Sequence, residues 1–168
     1  KYNKVKLIPE NLIDQIEKRK INNTASFFSL KKNIVGESSN SKLNKISNHL
    51  KKNKSDFIFI SSPENVAWIL NIRGSDIPNS PIPNCRLIID KNKKIILISK
   101  SKKCKKLFKN KIIRSNQFID VEELPKKILN LKGKNFIIDE NSCSIYFENI
   151  IKSKFKILKR EDPTYLMK

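Results

Sequence analysis

Glycine is scarce in this 168-residue chain, present only as Gly36, Gly74 and Gly133. That excludes a glycine-rich phosphate loop, whose backbone cradle needs several closely spaced glycines. Histidine is scarcer, with His49 alone, so zinc patterns built on HExxH or Cys/His clusters are excluded. His49 sits on an amphipathic stretch beside a lysine run, which predicts an exposed surface residue. Cys85, Cys104 and Cys143 are odd in number, far apart and lack CxxC spacing. This predicts reduced thiols in a cytoplasmic protein rather than a disulfide framework. Cys85 and Cys143 lie in or beside apolar runs, as small core residues do. No apolar run approaches the roughly 20 residues that cross a bilayer, so no membrane partner is expected. The opening Lys1–Lys6 has no apolar core of a signal peptide, and the missing initiator methionine predicts a piece of a longer polypeptide.

Acidic residues are also few: 16 Asp and Glu against 36 Lys and Arg give a net charge of +20 and a pI near 10.0. Such an excess attracts phosphate backbones. The basic residues are nevertheless scattered lysines, with Arg19, Arg73, Arg86, Arg114 and Arg160 the only arginines. Base readout favours arginine, and no basic stripe is interleaved with aromatics. The charge therefore reads as a solvated surface without specific nucleic-acid function. A stand-alone basic binding or oligomerisation module is the rival reading.

What is present is an alternation of strands and helices. Val5–Ile8 reads as a strand and Pro9–Lys18 as a helix, with residues 19–38 loop-like. Leu43, Ile46 and Leu50 mark one face of a helix over Ser41–Lys54. Phe57–Ile60 is apolar on both faces, like a central strand covered on each side. Ser62 offers an N-cap, Pro63 a first-turn residue and Glu64 an anion for the helix carrying Trp68. Arg86–Asp90 and Lys94–Ser99 flank a turn and read as a hairpin. Lys111–Arg114 is a weaker strand, Val121–Leu131 a helix, Phe136–Asp139 a strand, Ser142–Lys152 a helix and Phe155–Leu158 a last strand. The fold class is α/β, a mixed β-sheet flanked by helices.

The most distinctive segment is Trp68–Pro78, WILNIRGSDIP. An apolar helical run stops at Arg73-Gly74, and a stiff polar loop with Pro78, Pro81 and Pro83 follows. Gly74 tolerates positive φ, and proline fixes φ. Asn71, Arg73 and Asp76 are thereby candidate substrate-cleft residues on a shaped loop. The alternative is that Arg73 pairs with a carboxylate, Asp76 being the nearest in sequence, to lock the loop. Trp68 reads as a core residue in preference to a stacking platform.

This segment closely resembles the WLLNIRGSDIP signature of the Xaa-Pro aminopeptidases (aminopeptidase P), with Ile69 where leucine is usual. Asn11–Lys20, NLIDQIEKRK, is similar to the family's NLVDxIWxxRP, with Glu17 for the tryptophan and Lys20 for the proline. Gly36-Glu37 followed by Ser41-Lys42 resembles the family's opening of its second domain. Ile137–Asp139 fits a later strand, and Pro163–Lys168 fits the junction to the catalytic domain. The resemblance implies a creatinase/prolidase N-terminal-like fold. Residues 1–36 would close a first creatinase-type domain with its linker, 37–160 form a second, and 161–168 begin the junction to a catalytic pita-bread domain. It further implies an enzyme that releases an N-terminal residue preceding proline, using two divalent metals, usually manganese, held by Asp, His and Glu of that catalytic domain. None of those ligands maps onto this chain, so the chain has no catalytic or metal residue of its own and is expected to be inactive alone. Its implied partners are its own C-terminal catalytic domain, a second copy in a homodimer, and proline-containing peptides.

Overall fold

The computed structural model describes residues 25–168; the expected strand Val5–Ile8 and helix Pro9–Lys18 lie outside them. In chain order the elements are β1 Phe28–Ser29, α1 Lys32–Val35, α2 Ser39–Lys52, β2 Phe57–Ile60, α3 Pro63–Leu70 and β3 Ile72–Arg73. There follow β4 Arg86–Asp90, β5 Ile95–Ile98, α4 Ser101–Lys109, β6 Phe118–Ile119, α5 Leu124–Asn130, β7 Asn135–Ile138, α6 Ile145–Lys152 and β8 Lys156–Lys159.

Among the described residues, six strands form one mixed sheet in the order β6-β5-β4-β2-β7-β8, and β1 pairs separately with β3. β4 runs antiparallel to both β2 and β5, while β2–β7, β7–β8 and β5–β6 are parallel. β2 is central and wholly buried, as its continuous apolar run requires. Its side chains alternate between two cores, because successive residues of a strand point to opposite faces. Ile58 and Ile60 join Ile46, Leu50, Val66, Ile69 and Leu107 beneath α2, α3 and α4. Phe57 and Phe59 join Leu124, Ile128, Phe136 and Ile151 beneath α5 and α6. Each fully buried isoleucine or phenylalanine contributes about 1.5–3 kcal/mol of transfer free energy.

Several local expectations are corrected. Lys111–Arg114 is a turn, with Lys111 at φ 56°; the strand instead falls at Phe118–Ile119, which pairs with Leu97 and Ile98. The lysine-dense Ser101–Lys109 forms a helix that inserts Cys104 and Leu107, and Phe28–Ser29 and Lys32–Val35 are ordered elements within what reads as loop. Val121–Leu131 is divided into a 3-10 turn at Val121–Glu123 and the helix Leu124–Asn130. α6 begins only at Ile145, because Asp139 ties down the preceding turn through the Asn141 N–H and the Ser142 hydroxyl. Ser62 stands at the N-cap of α3 but makes no capping bond; its hydroxyl meets the Tyr165 hydroxyl at 3.2 Å. His49 is half-buried, not exposed.

The strand directions gather one edge of the sheet. Register pairs Ile60 with Leu87, Arg86 with Ile98, Ile98 with Ile119 and Ile138 with Lys159. The carboxyl ends of β2, β5, β6, β7 and β8 therefore meet the start of β4 along one rim. In open α/β sheets that rim is where ligands bind.

Candidate functional site

The site is built around the end of α3. Asn71 ends the helix in the left-handed region, at φ 54° and ψ 38°, a conformation that asparagine tolerates better than most residues. Its side chain is fully used: Oδ1 accepts from Lys42 Nζ at 2.6 Å, and Nδ2 donates to the Glu37 carbonyl at 3.0 Å. Lys42 is 1% exposed and also donates to the Trp68 carbonyl at 2.7 Å. Its ammonium lies 4.3 Å from the Trp68 ring centroid. A buried cation needs such compensation, and here the carboxyl end of a helix dipole adds to it. Burial pulls the Lys42 pKa below the ordinary lysine value, with Glu37 opposing. Trp68 is half-buried against the core, with the Lys42 ammonium on its ring.

Arg73 lies two residues on, in a strand paired with Phe28. Its Nη1 donates to the Ile72 carbonyl at 2.8 Å and the Ala67 carbonyl at 3.3 Å. Both are backbone acceptors around the end of α3, so Arg73 clamps the helix terminus. Asp76 has other partners: Oδ2 accepts the Asn84 N–H at 2.7 Å, and Oδ1 meets Lys103 Nζ at 2.6 Å. The acid that locks the proline loop is thus paired with Lys103 of α4, not with Arg73. Both side chains of this pair are largely buried, at 10% and 14% exposure, which gives the bond more weight than an exposed ion pair. Lys103 is a residue the sequence did not single out, because a lysine within a lysine run carries no local signal.

The loop itself is short-circuited by close contacts. Gly74 is required by space rather than by positive φ: a Cβ there would stand 2.7 Å from Pro83 Cα and 3.0 Å from Phe27 Cδ1. Its N–H donates to the Pro81 carbonyl at 3.2 Å, and Ile77 bridges Ser80 around Asn79 at φ 59°. Ile77 is 42% exposed at the tip. Asn71 and Arg73 therefore sit at the base of this loop, and Asp76 sits within it.

Beside the loop, at the carboxyl rim of the sheet, lies a cleft of about 420 Å³. Its walls include Asp76, Asn84, Arg86, Ser99, Lys103 and Phe147. Arg86 Nη1 donates to Asn84 Oδ1 at 2.9 Å and to the Cys85 carbonyl at 3.0 Å. Its guanidinium carbon is 5.8 Å from the Phe147 ring centroid.

The groups that commonly do chemistry are subdued. All three cysteines are free and buried. Burial raises the Cys85 thiol far above its ordinary value, Cys104 to about 12 and Cys143 to about 11, which leaves them protonated and poorly nucleophilic. Among the described residues no three His, Cys, Asp or Glu side chains stand close enough to hold a metal ion. Ser61, Ser142 and Asp139 form a hydroxyl chain, with Ser61 Oγ 2.8 Å from Ser142 Oγ and Ser142 donating to Asp139 at 3.1 Å. It links the ends of β2 and β7 and contains no histidine. No helix among the described residues is long and apolar enough to cross a membrane.

Comparison with known proteins places these features in a family context. The profile of the creatinase/prolidase N-terminal domain matches residues 18–168. The chain is 34% identical over 77 residues to Xaa-Pro aminopeptidase 1 of Dictyostelium discoideum, covering 46% of this chain and 12% of that protein. It is 32% identical over 100 residues to a probable Xaa-Pro aminopeptidase P of Laccaria bicolor, covering 58% of this chain and 16% of that one. The chain thus spans less than a fifth of the curated relatives it matches. Among solved structures, the X-prolyl aminopeptidase of Caenorhabditis elegans, described as a cytosolic enzyme with a di-nuclear active site, superposes with a TM-score of 0.70. That match has 20% identity and covers 91% of this chain and 26% of the nematode chain. An Xaa-Pro aminopeptidase from Streptococcus pyogenes superposes with a TM-score of 0.58 at 12% identity, over 77% of this chain and 97% of the other. At these identities the structural likeness establishes the fold.

Proposed function

The chain belongs to the creatinase/prolidase N-terminal domain family, and from that membership we propose that it serves as the non-catalytic N-terminal portion of a metal-dependent Xaa-Pro aminopeptidase. In this reading residues 37–160 form the second creatinase-type domain, and 161–168 lead towards a catalytic pita-bread domain. The domain shapes the mouth of the substrate cleft and contributes to a homodimer. Two divalent metals, with manganese the expected ion, would be held by that catalytic domain and would supply an activated hydroxide.

The observation that carries the reading is the family match over residues 18–168, together with the likeness in sequence to the Xaa-Pro aminopeptidases of Dictyostelium and Laccaria. The proline loop at 74–84 supports the cleft role. It is held by Gly74 packed on Pro83 and by the Asp76–Lys103 pair, so it presents a fixed polar surface rather than a mobile one. A pre-ordered wall of this kind costs little further entropy when a peptide docks against it. Asn71 and Arg73 act by holding the base of that wall. The test is Xaa-Pro peptide hydrolysis by the 168-residue chain in added manganese, beside sedimentation of the natural polypeptide that carries it. The expected result is no turnover by the chain alone and a dimeric natural polypeptide. Turnover by the chain alone, or a monomeric natural polypeptide, would contradict the corresponding part of the proposal.

A further inference from the structure

Arg86 is a half-buried guanidinium with no carboxylate salt bridge among the described residues. Its recorded partners are neutral oxygens, Asn84 Oδ1 and the Cys85 carbonyl, both bound through Nη1. Burial lowers its pKa, opposed by Cys85, Glu64 and Cys143, none of which bonds the guanidinium through its side chain. Partly desolvated cations are normally matched by an anion, and this one lines a cleft of about 420 Å³.

The other charges of the cleft do not fill that need. Asp76, the acid in its wall, is neutralised by Lys103 at 2.6 Å. Asp120, outside the lining, accepts the N–H of Ser101, the first residue of α4, at 2.9 Å. Lys100, exposed at the mouth, adds a further positive charge. The cleft is therefore net positive. Beside Asn84, Cys85 and Ser99, its uncharged walls include an apolar part made by Ile98, Val121 and the Phe147 ring.

We propose that this cleft binds a small organic carboxylate with an apolar or aromatic body, its two oxygens on the Arg86 guanidinium and its body against Phe147. A guanidinium meets a carboxylate through two parallel N–H donors. A phosphate is a poorer fit, because the amide that opens α4 is already taken by Asp120 and no glycine-rich cradle lines the cleft. The carboxylate is either that of a free acid or the carboxyl end of a peptide. The proposal stands apart from the peptidase reading, since it needs neither a metal nor a catalytic domain.

The test is calorimetric titration of the 168-residue chain with N-acetyl-phenylalanine, its amide, a tripeptide ending in phenylalanine, and inorganic phosphate. Saturable binding of the acid, weakened about tenfold or more in the amide, is expected from loss of a charge-assisted fork. Tighter binding of the tripeptide than of the acetylated amino acid identifies a peptide end as the source, and the reverse identifies a free acid. Arg86→Gln is expected to weaken the acid by about tenfold, and Lys100→Gln, on the surface, by about twofold to threefold. Equal binding of acid and amide, tighter binding of phosphate, or no binding overturns the proposal. The acid–amide contrast is read on the unaltered chain, so a misfolded Arg86→Gln leaves the test intact.

Discussion

Lys42 Nζ reaches Asn71 Oδ1 at 2.6 Å and joins the first turn of one helix to the left-handed terminus of the next. Lys42 is 1% exposed, so the contact is made by a cation withdrawn from water beneath the Trp68 ring. The segment from Trp68 to Pro83 hangs from this junction. Removing the ammonium leaves Asn71 Oδ1 without its donor and the Trp68 carbonyl with the Asn71 N–H alone.

Lys42→Met is therefore expected to destabilise the fold by about 1–3 kcal/mol, the cost of stranding a buried acceptor. Asn71→Ala and Asn71→Gly both lose the two side-chain bonds, but alanine also meets the left-handed penalty. Alanine should be the worse by about 1 kcal/mol. Urea denaturation midpoints read both, and equal midpoints for the two Asn71 variants would contradict the strained terminus.

Gly74→Ala forces a Cβ to within 2.7 Å of Pro83 backbone. The expected loss is about 1–3 kcal/mol, typical of overpacking, with amide shifts spreading through residues 74–84. Gly36, at φ 64° with open space around it, should lose only about 1–2 kcal/mol as alanine. Thermal melts compare the two, and a Gly36 variant that melts below the Gly74 one would reverse the assignment of cause.

Asp56 accepts from Lys91 Nζ at 2.8 Å and from the N–H groups of Lys134 and Asn135. These hydrogen bonds, that of Lys91 foremost, bring its pKa from 3.8 to about 2. A depressed carboxylate contributes stability above its unfolded value and loses it as pH falls through the folded one. Wild-type stability should drop between pH 4 and 2 more steeply than that of Asp56→Asn, read by acid titration of circular dichroism. Parallel curves would show that Asp56 is not linked to folding.

His49 works at higher pH. Burial holds its pKa below 6.5 against the opposing pull of Asp162, and Nε2 has no hydrogen-bond partner among the described residues. The unfolded chain then takes up its proton first, so stability falls as pH drops below about 6.5 and levels once the folded histidine is also protonated. His49→Gln should flatten the denaturation midpoint between pH 7 and 5. An unchanged slope would place the titrating group elsewhere.

Much of this architecture is legible in the sequence where apolar periodicity is strong. Phe57–Ile60 reads as a doubly covered strand and is one; Arg86–Asp90 and the following run read as a hairpin and are one. Legibility fails where lysine density hides the pattern, as in Ser101–Lys109, whose helix is declared only by Cys104 and Leu107. It fails again where a strand of two residues, Phe118–Ile119, owes its existence to pairing with β5 rather than to its own composition. At the site, the stiffness of the loop is legible from its prolines, but its fastening is not. Asp76 finds Lys103 across 27 residues, and Arg73 spends its charge on the end of the helix before it. Both depend on tertiary approach.

In the proposed role this domain, with its fastened 74–84 loop, serves an Xaa-Pro aminopeptidase. The most direct measurement of that role is kcat/KM on Xaa-Pro peptides, with manganese, for the natural polypeptide carrying this sequence, unaltered and as Asp76→Asn and Arg73→Lys. Proline-dependent release of the N-terminal residue is expected. Each substitution should lower kcat/KM by about tenfold or more, on the scale of a lost charge-assisted contact, with a smaller proportional change in folding stability. No hydrolysis of Xaa-Pro peptides by the natural polypeptide, or full activity in both variants with lowered melting temperatures, would contradict it.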